Sequence, residues 1–290
     1  MMISLPSKWI KENKLGKGSE VELEEENNKI IIAAEGKKKG EIIIEISKDN
    51  EKDIKNILTH IYRNGFDRII LKGDTKEVSR VIRKIVDELL LGFELTEISR
   101  DKTIIENISE PTEQKYDIIL GKLFKIIEET QEILAGSFKE NSFKSQDIED
   151  LKKQHDRFVL FCRRLLNKGT TGKNSLIHWE LLTFLMHIEH SYYYLYSYLS
   201  KNKIQKNEKI IKIVQEAKEY FLMYKNSYYN KDIKLVHKIN ELKKEYYLEK
   251  LPSLIEKSSG KEAMILVYLR EIFRLIQIGT SPILNELLEK

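Results

Sequence analysis

Apolar and polar positions follow a period of two near the start of the chain and a helical period later. Val21-Glu22-Leu23-Glu24 alternates, Ile30-Ile31-Ile32 is a β-branched run, and Asn27-Asn28 between them turns the chain into a partner strand. Glu41 to Ile46 and Arg68 to Lys72 read as further strands, and Phe93 to Ile98 with Thr103 to Ile108 as a hairpin around Arg100-Asp101. Helical spacing separates them. Asn50 is placed to cap a helix with Ile54, Ile57, Leu58, Ile61 and Tyr62 on one face, ending at Gly65. Asp74 and Glu77 have the spacing of a capping box, ahead of a helix that buries Val78, Val81, Ile82, Ile85, Val86 and Leu89 and stops before Gly92. The pattern predicts a small α/β layer of βαβαββ order over residues 41–111.

After Pro111 the strand signals vanish. The helical period predicts six helices over about 113–137, 144–168, 174–200, 204–229, 231–257 and 260–288, separated at Gly136, Gly169 to Gly172, Lys201 to Lys203, Asn230 and Ser258 to Gly260. Helices this long with short breaks pack as antiparallel bundles, here as two three-helix units. Pro252 is expected to kink the fifth helix or end it early. The expected fold class is mainly α: a small β head at 1–40, an α/β connector at 41–111 and a helical body at 112–290.

Composition narrows the function. The 290 residues are 41% hydrophobic and 33% charged, an ordinary globular balance. The single cysteine, Cys162, excludes an intramolecular disulfide and, within Phe158 to Cys162, reads as a small buried hydrophobe. No apolar run reaches the roughly 18 residues of a membrane helix, and no signal-peptide pattern opens the chain, so the cytoplasm is the expected compartment. The net charge of +4 is mild, and residues 1–36 carry five Lys against seven Glu. Charge alone therefore marks no nucleic-acid surface. Lys37-Lys38-Lys39 reads as a solvated loop.

The head carries the most specific local motif. Ser4-Leu5-Pro6-Ser7-Lys8-Trp9 leads into Leu15-Gly16-Lys17-Gly18-Ser19 and then the two strands. Pro6 presets a short helix and Gly18 suits a turn of positive φ. This resembles the AbrB/MazE/SpoVT family, which implies a swapped hairpin that interleaves with a second copy into a homodimer and often binds DNA. If DNA is bound, Lys8, Lys11, Lys14 and Lys17 are the candidate contacts. Members of that family usually begin with another strand that supplies basic contacts, whereas this sequence opens at Met1-Met2-Ile3.

The later pieces resemble archaeal PhoU-type phosphate uptake regulators: Tyr62-Arg63-Asn64-Gly65-Phe66-Asp67-Arg68-Ile69, Leu91-Gly92-Phe93-Glu94-Leu95-Thr96-Glu97, and His155-Asp156-Arg157-Phe158 with Arg163 and Leu165. Their order implies two three-helix bundles, a role in repressing phosphate uptake or signalling, and a partner such as a transporter ATPase or a sensor protein. Bacterial relatives hold iron or zinc on acidic motifs one helical turn apart. Here Lys152 stands four residues before Asp156, Tyr193 stands four after Glu189, and Gly279 to Pro282 carry no acid. The metal candidates are Asp156, Glu189 and His190.

The remaining motifs have bland readings. His155, His178, His187 and His190 are expected as hydrogen-bonded bundle histidines. Tyr192 to Tyr198 places hydroxyls all around one helix rather than on one stacking platform. Asp232 is placed to cap the fifth helix. Gly169 to Asn174 mimics a phosphate loop but follows no strand, and no G-x-S-x-G, H-E-x-x-H or CxxC occurs. The expectation is a non-enzymatic regulator. The alternative is an AbrB-type transcription factor whose helical body senses a ligand or metal.

Overall fold

The computed structural model describes residues 3–26, 29–34, 39–47, 50–73, 78–109, 115–140, 142–202 and 207–289. The Asn27-Asn28 turn, Lys37 and Lys38, the Asp74–Glu77 box and Lys203 lie outside the described residues. A short helix α1 (Ser7–Glu12) precedes strands β1 (Val21–Glu26) and β2 (Lys29–Ala34), which pair antiparallel as a separate two-stranded sheet.

The connector forms a four-stranded sheet in the order β3-β4-β6-β5, from β3 (Lys39–Ile46), β4 (Phe66–Gly73), β5 (Phe93–Ile98) and β6 (Lys102–Asn107). β3 and β4 run parallel, so a crossover must join them, and α2 (Ile54–Arg63) supplies it. After β4, α3 (Ser79–Leu89) leads into the β5–β6 hairpin. Ile54, Leu58, Ile61, Tyr62, Ile82, Ile85 and Val86 are buried from the two helices. Gly92 has φ +83°, and a Cβ there would lie 2.6 Å from the Ser109 carbonyl oxygen, so the turn into β5 requires glycine.

Two expectations for this layer fail locally. Val81 is 48% exposed, because it lies on the outer side of α3 from Ile82, Ile85 and Val86. Asn50 does not cap α2: its Oδ1 accepts from Ser47 N at 2.9 Å and its Nδ2 donates to Glu45 O at 2.8 Å, so it closes the end of β3.

The body runs through α4 (Lys115–Glu140), α5 (Ser145–Lys168), α6 (Ser175–Lys201), α7 (Glu208–Tyr229), α8 (Ile233–Lys243), a π-helical stretch Lys244–Lys250, α9 (Leu251–Glu256), α10 (Gly260–Ile278) and α11 (Thr280–Leu288). α4, α5 and α6 pack together, and so do α7, α8 and α10, with α6 against α10 and α4 against α7 joining the two groups. Asn174, Asn207 and Asp232 accept backbone N–H groups at the starts of α6, α7 and α8.

Three helix ends differ from expectation. α4 runs through Gly136 to Glu140, because buried Ser137 and Phe138 bind its last turn to the core. Pro252 does not end the fifth helix. The wider π turns before it absorb the missing donor, and Pro252 falls in the first turn of α9. The last helix breaks at Gly279, where Thr280 Oγ1 donates to Gln277 O at 2.7 Å.

One core is continuous from connector to body. α2 and α3 both pack on α5. Arg164 of α5 is 3% exposed and donates to the Tyr62 and Phe66 carbonyls, at 3.1 and 2.7 Å, and to Asp67. Lys168 Nζ also reaches Asp67, at 2.9 Å.

Candidate functional site

The described residues of α1 bury no side chain, and Lys8, Lys11, Lys14 and Lys17 are all exposed. Lys8 and Lys11 stand three apart on α1 and share a face. Lys8 lies 3.9 Å from Glu12, with both side chains largely in solvent, so the pair is weak. The helix ends in a six-residue C-terminal motif: Leu15 N donates to Ile10 O at 3.0 Å and Lys14 N to Lys11 O at 3.2 Å.

This motif places Lys14 at φ 53°, the left-handed position that glycine usually holds. Lys231 occupies the same kind of position after α7, at φ 51°, but there the ammonium pairs with Glu286 at 2.5 Å and lies over Tyr228. Lys14 has no ion-pair partner among the described residues. Lys14→Gly is expected to stabilise the head by about 1 kcal/mol. Thermal denaturation of the two proteins measures it, and an unchanged or lower midpoint contradicts the strain.

The hairpin register sets Leu23 opposite Ile32 and Val21 opposite Ala34, with Ile30 two residues from Ile32 on the same face. Among the described residues this apolar face is largely open: Leu23 is 67% and Ile30 58% exposed, Val21 and Ile32 are half-buried, and Ile3 is also open. A two-stranded hairpin is at best marginally stable alone in water.

The three metal candidates stand close in the body but face different partners. Asp156 Oδ1 lies 2.7 Å from His190 Nε2, and Asp156 Oδ2 accepts from Lys152 Nζ at 2.6 Å. Burial alone would raise the Asp156 carboxyl; His190 and Lys152 override it and hold it down at about 2. Glu189 accepts instead from Thr130 Oγ1 at 2.9 Å, and its second oxygen has no hydrogen-bond partner among the described residues. Burial pushes its carboxyl up to about 8. A lysine ammonium on Asp156 takes the place a cation needs, and among the described residues no three His, Cys, Asp or Glu side chains form a metal-holding group. The set does not fit iron or zinc.

The other histidines divide. His178 Nδ1 meets the Tyr116 hydroxyl at 2.9 Å, and His187 is exposed. His155 is fully buried with neither ring nitrogen hydrogen-bonded among the described residues, so it departs from the hydrogen-bonded expectation, and burial lowers it to about 3. Tyr192 and Tyr196, one helical turn apart, bind Gln131 and Ser137 of α4 at 2.9 and 3.0 Å, while Tyr194 is 52% exposed. Cys162 is buried and burial raises its thiol well above the ordinary range.

Comparison with known proteins bears on the head. Residues 2–50 match the family described as antidote-toxin recognition MazE, bacterial antitoxin. The N-terminal segment is AbrB/MazE-like. Domains of this type typically dimerise and bind DNA, consistent with a regulator. The match runs past β2 and takes in β3. No curated protein and no solved structure matches the chain. No described helix is long and apolar enough to cross a membrane.

Sequence reading missed the Arg164–Asp67–Lys168 joint and a second arginine cluster on α2 and α5. The only signal was the Arg163-Arg164 pair on an otherwise amphipathic helix.

Proposed function

We propose that this protein is a DNA-binding regulator that acts by binding rather than catalysis. Its head dimerises through the open face of Val21, Leu23, Ile30 and Ile32 and presents Lys8, Lys11, Lys14 and Lys17 to phosphates. The observation that carries the reading is Lys14: a charged residue held in a left-handed conformation that costs stability, with its ammonium unpaired among the described residues. Backbone strain of this kind concentrates where function needs the side chain. The MazE match over the same residues supports it.

The connector and body would be the regulatory part. Their resemblance to PhoU-type regulators supports a role in phosphate uptake or signalling, with a transporter ATPase or sensor protein as the docking partner. The domain boundaries at 40 and 111 belong to this reading.

Fluorescence anisotropy with the protein's own upstream duplex, against a scrambled duplex over a salt series, tests the proposal. Binding should prefer the upstream duplex, and Lys14→Gly should lower the salt slope by about 1 while weakening binding to both duplexes. Equal, weak binding to both duplexes that Lys14→Gly leaves unchanged would remove DNA from the function.

A further inference from the structure

The junction of α2, α5 and α6 contains two arginines, Arg63 and Arg163, that form no ion pair among the described residues. Arg163 is 5% exposed; its Nη2 donates to Thr183 Oγ1 at 2.8 Å, and its buried Nε has no hydrogen-bond partner among the described residues. Its guanidinium lies 4.8 Å from the centre of the Trp179 ring, and that of Arg63 lies 5.8 Å from the same ring. Arg63 Nη2 also approaches both ring nitrogens of exposed His60, at 2.8 and 2.9 Å.

Among the described residues neither guanidinium meets a carboxylate. Glu271, the acid that His187 senses on this side, is held by both Nε and Nη2 of its neighbour Arg274, at 2.8 and 2.7 Å. Arg164, the next residue on α5, shows what a satisfied buried arginine looks like here, with two carbonyls and Asp67 around it.

Two like charges against one indole repel each other, and the ring quadrupole compensates only part of a buried cation's lost hydration. A planar guanidinium fork fits a two-oxygen anion. Burial and the nearby Arg63 charge push Arg163 down to about 10. Half-buried Arg63, Trp179 and Thr183, with exposed His60 and His187, leave the cluster open to solvent. We infer that Arg63 and Arg163 hold a small oxyanion, a phosphate-type group or a carboxylate, beside Trp179. This inference does not depend on what the head binds.

Tryptophan fluorescence reports on it directly. The chain has two tryptophans, and Trp9→Phe in the exposed α1 leaves Trp179 as the sole emitter. The full-length Trp9→Phe protein is titrated with inorganic phosphate, sulfate and acetate at ionic strength fixed with sodium chloride. A saturable change is expected, with a midpoint at least tenfold higher once Arg63→Gln is added. Saturation by phosphate and sulfate assigns a tetrahedral oxyanion; saturation by acetate assigns a carboxylate. Arg63 is half-buried on the outer side of the cluster, so Arg63→Gln keeps the fold; unchanged circular dichroism verifies that. No saturation with any of the three anions, or the same midpoint in Arg63→Gln, overturns the site.

Discussion

Arg164→Met is expected to destabilise the protein by about 2–4 kcal/mol, because it takes the main counter-charge from half-buried Asp67 and the donors from two carbonyls. Arg164 donates to Asp67 and to the Tyr62 and Phe66 carbonyls, and lies 5.2 and 4.7 Å from the Tyr62 and Phe93 ring centres. Methionine keeps much of the stem volume but supplies none of these donors. Asp67 Oδ2 has no hydrogen-bond partner among the described residues, so Asp67 would keep only Lys168, at 2.9 Å, and a long bond from Asn107 Nδ2, at 3.4 Å. Asn167→Ala removes an exposed bond to the Arg63 carbonyl at 2.7 Å and should cost only about 1 kcal/mol. Urea denaturation of the two variants separates them. A loss no larger for Arg164→Met than for Asn167→Ala would mean that the connector does not depend on α5 for its place.

The second large effect is electrostatic and sits under α6. Glu189 has its carboxyl raised by burial from 4.5 to about 8. The folded protein therefore keeps a proton that the unfolded chain releases. Stability is full below pH 4.5 and falls as pH rises towards 8. Glu189→Gln fixes the neutral form. It should match the wild type near pH 4 and exceed it by about 3 kcal/mol near pH 7.

Acid loss has different sources. His155 is lowered to about 3 by burial, so the unfolded chain takes a proton first as pH falls below 6.5. Asp156, lowered from 3.8 to about 2, adds a loss as pH falls through that window. From pH 4.5 to 6.5 the His155 and Glu189 slopes oppose each other, so those two groups together add little net slope there. Chemical denaturation from pH 3 to 9 measures the profile. A Glu189→Gln curve parallel to the wild type between pH 5 and 8 contradicts the assignment.

The helical period placed the body's rods, and the β-branched runs placed the strands, because both signals come from residues facing one common core. α5 and α6 came within a residue or so at each end. Tertiary packing decides whether a local breaker acts: buried Phe138 holds the turn after Gly136, and a π stretch carries the chain into Pro252, so the helix departs from regular α geometry without ending there. Asn50 had the composition of a cap, yet its amide closes β3 instead, a choice that depends on where Glu45 and Ser47 lie in space. The candidate site was legible only in part. The four head lysines follow from the motif, but the strain at Lys14 depends on a backbone angle. The Arg63–Arg163–Trp179 cluster brings Arg63 to residues a hundred or more positions away, and no local pattern shows which charges face one another there.

The central claim is that the head is half of a folding unit, completed by a second copy across the face of Leu23 and Ile30. Sedimentation equilibrium of the full chain and of Leu23→Asp/Ile30→Asp over a concentration series tests it most directly. The account predicts a dimer for the wild type and a monomer for the double variant, with the helical content of the body unchanged. A wild type that stays monomeric at every concentration, or a double variant that dimerises equally well, would contradict it.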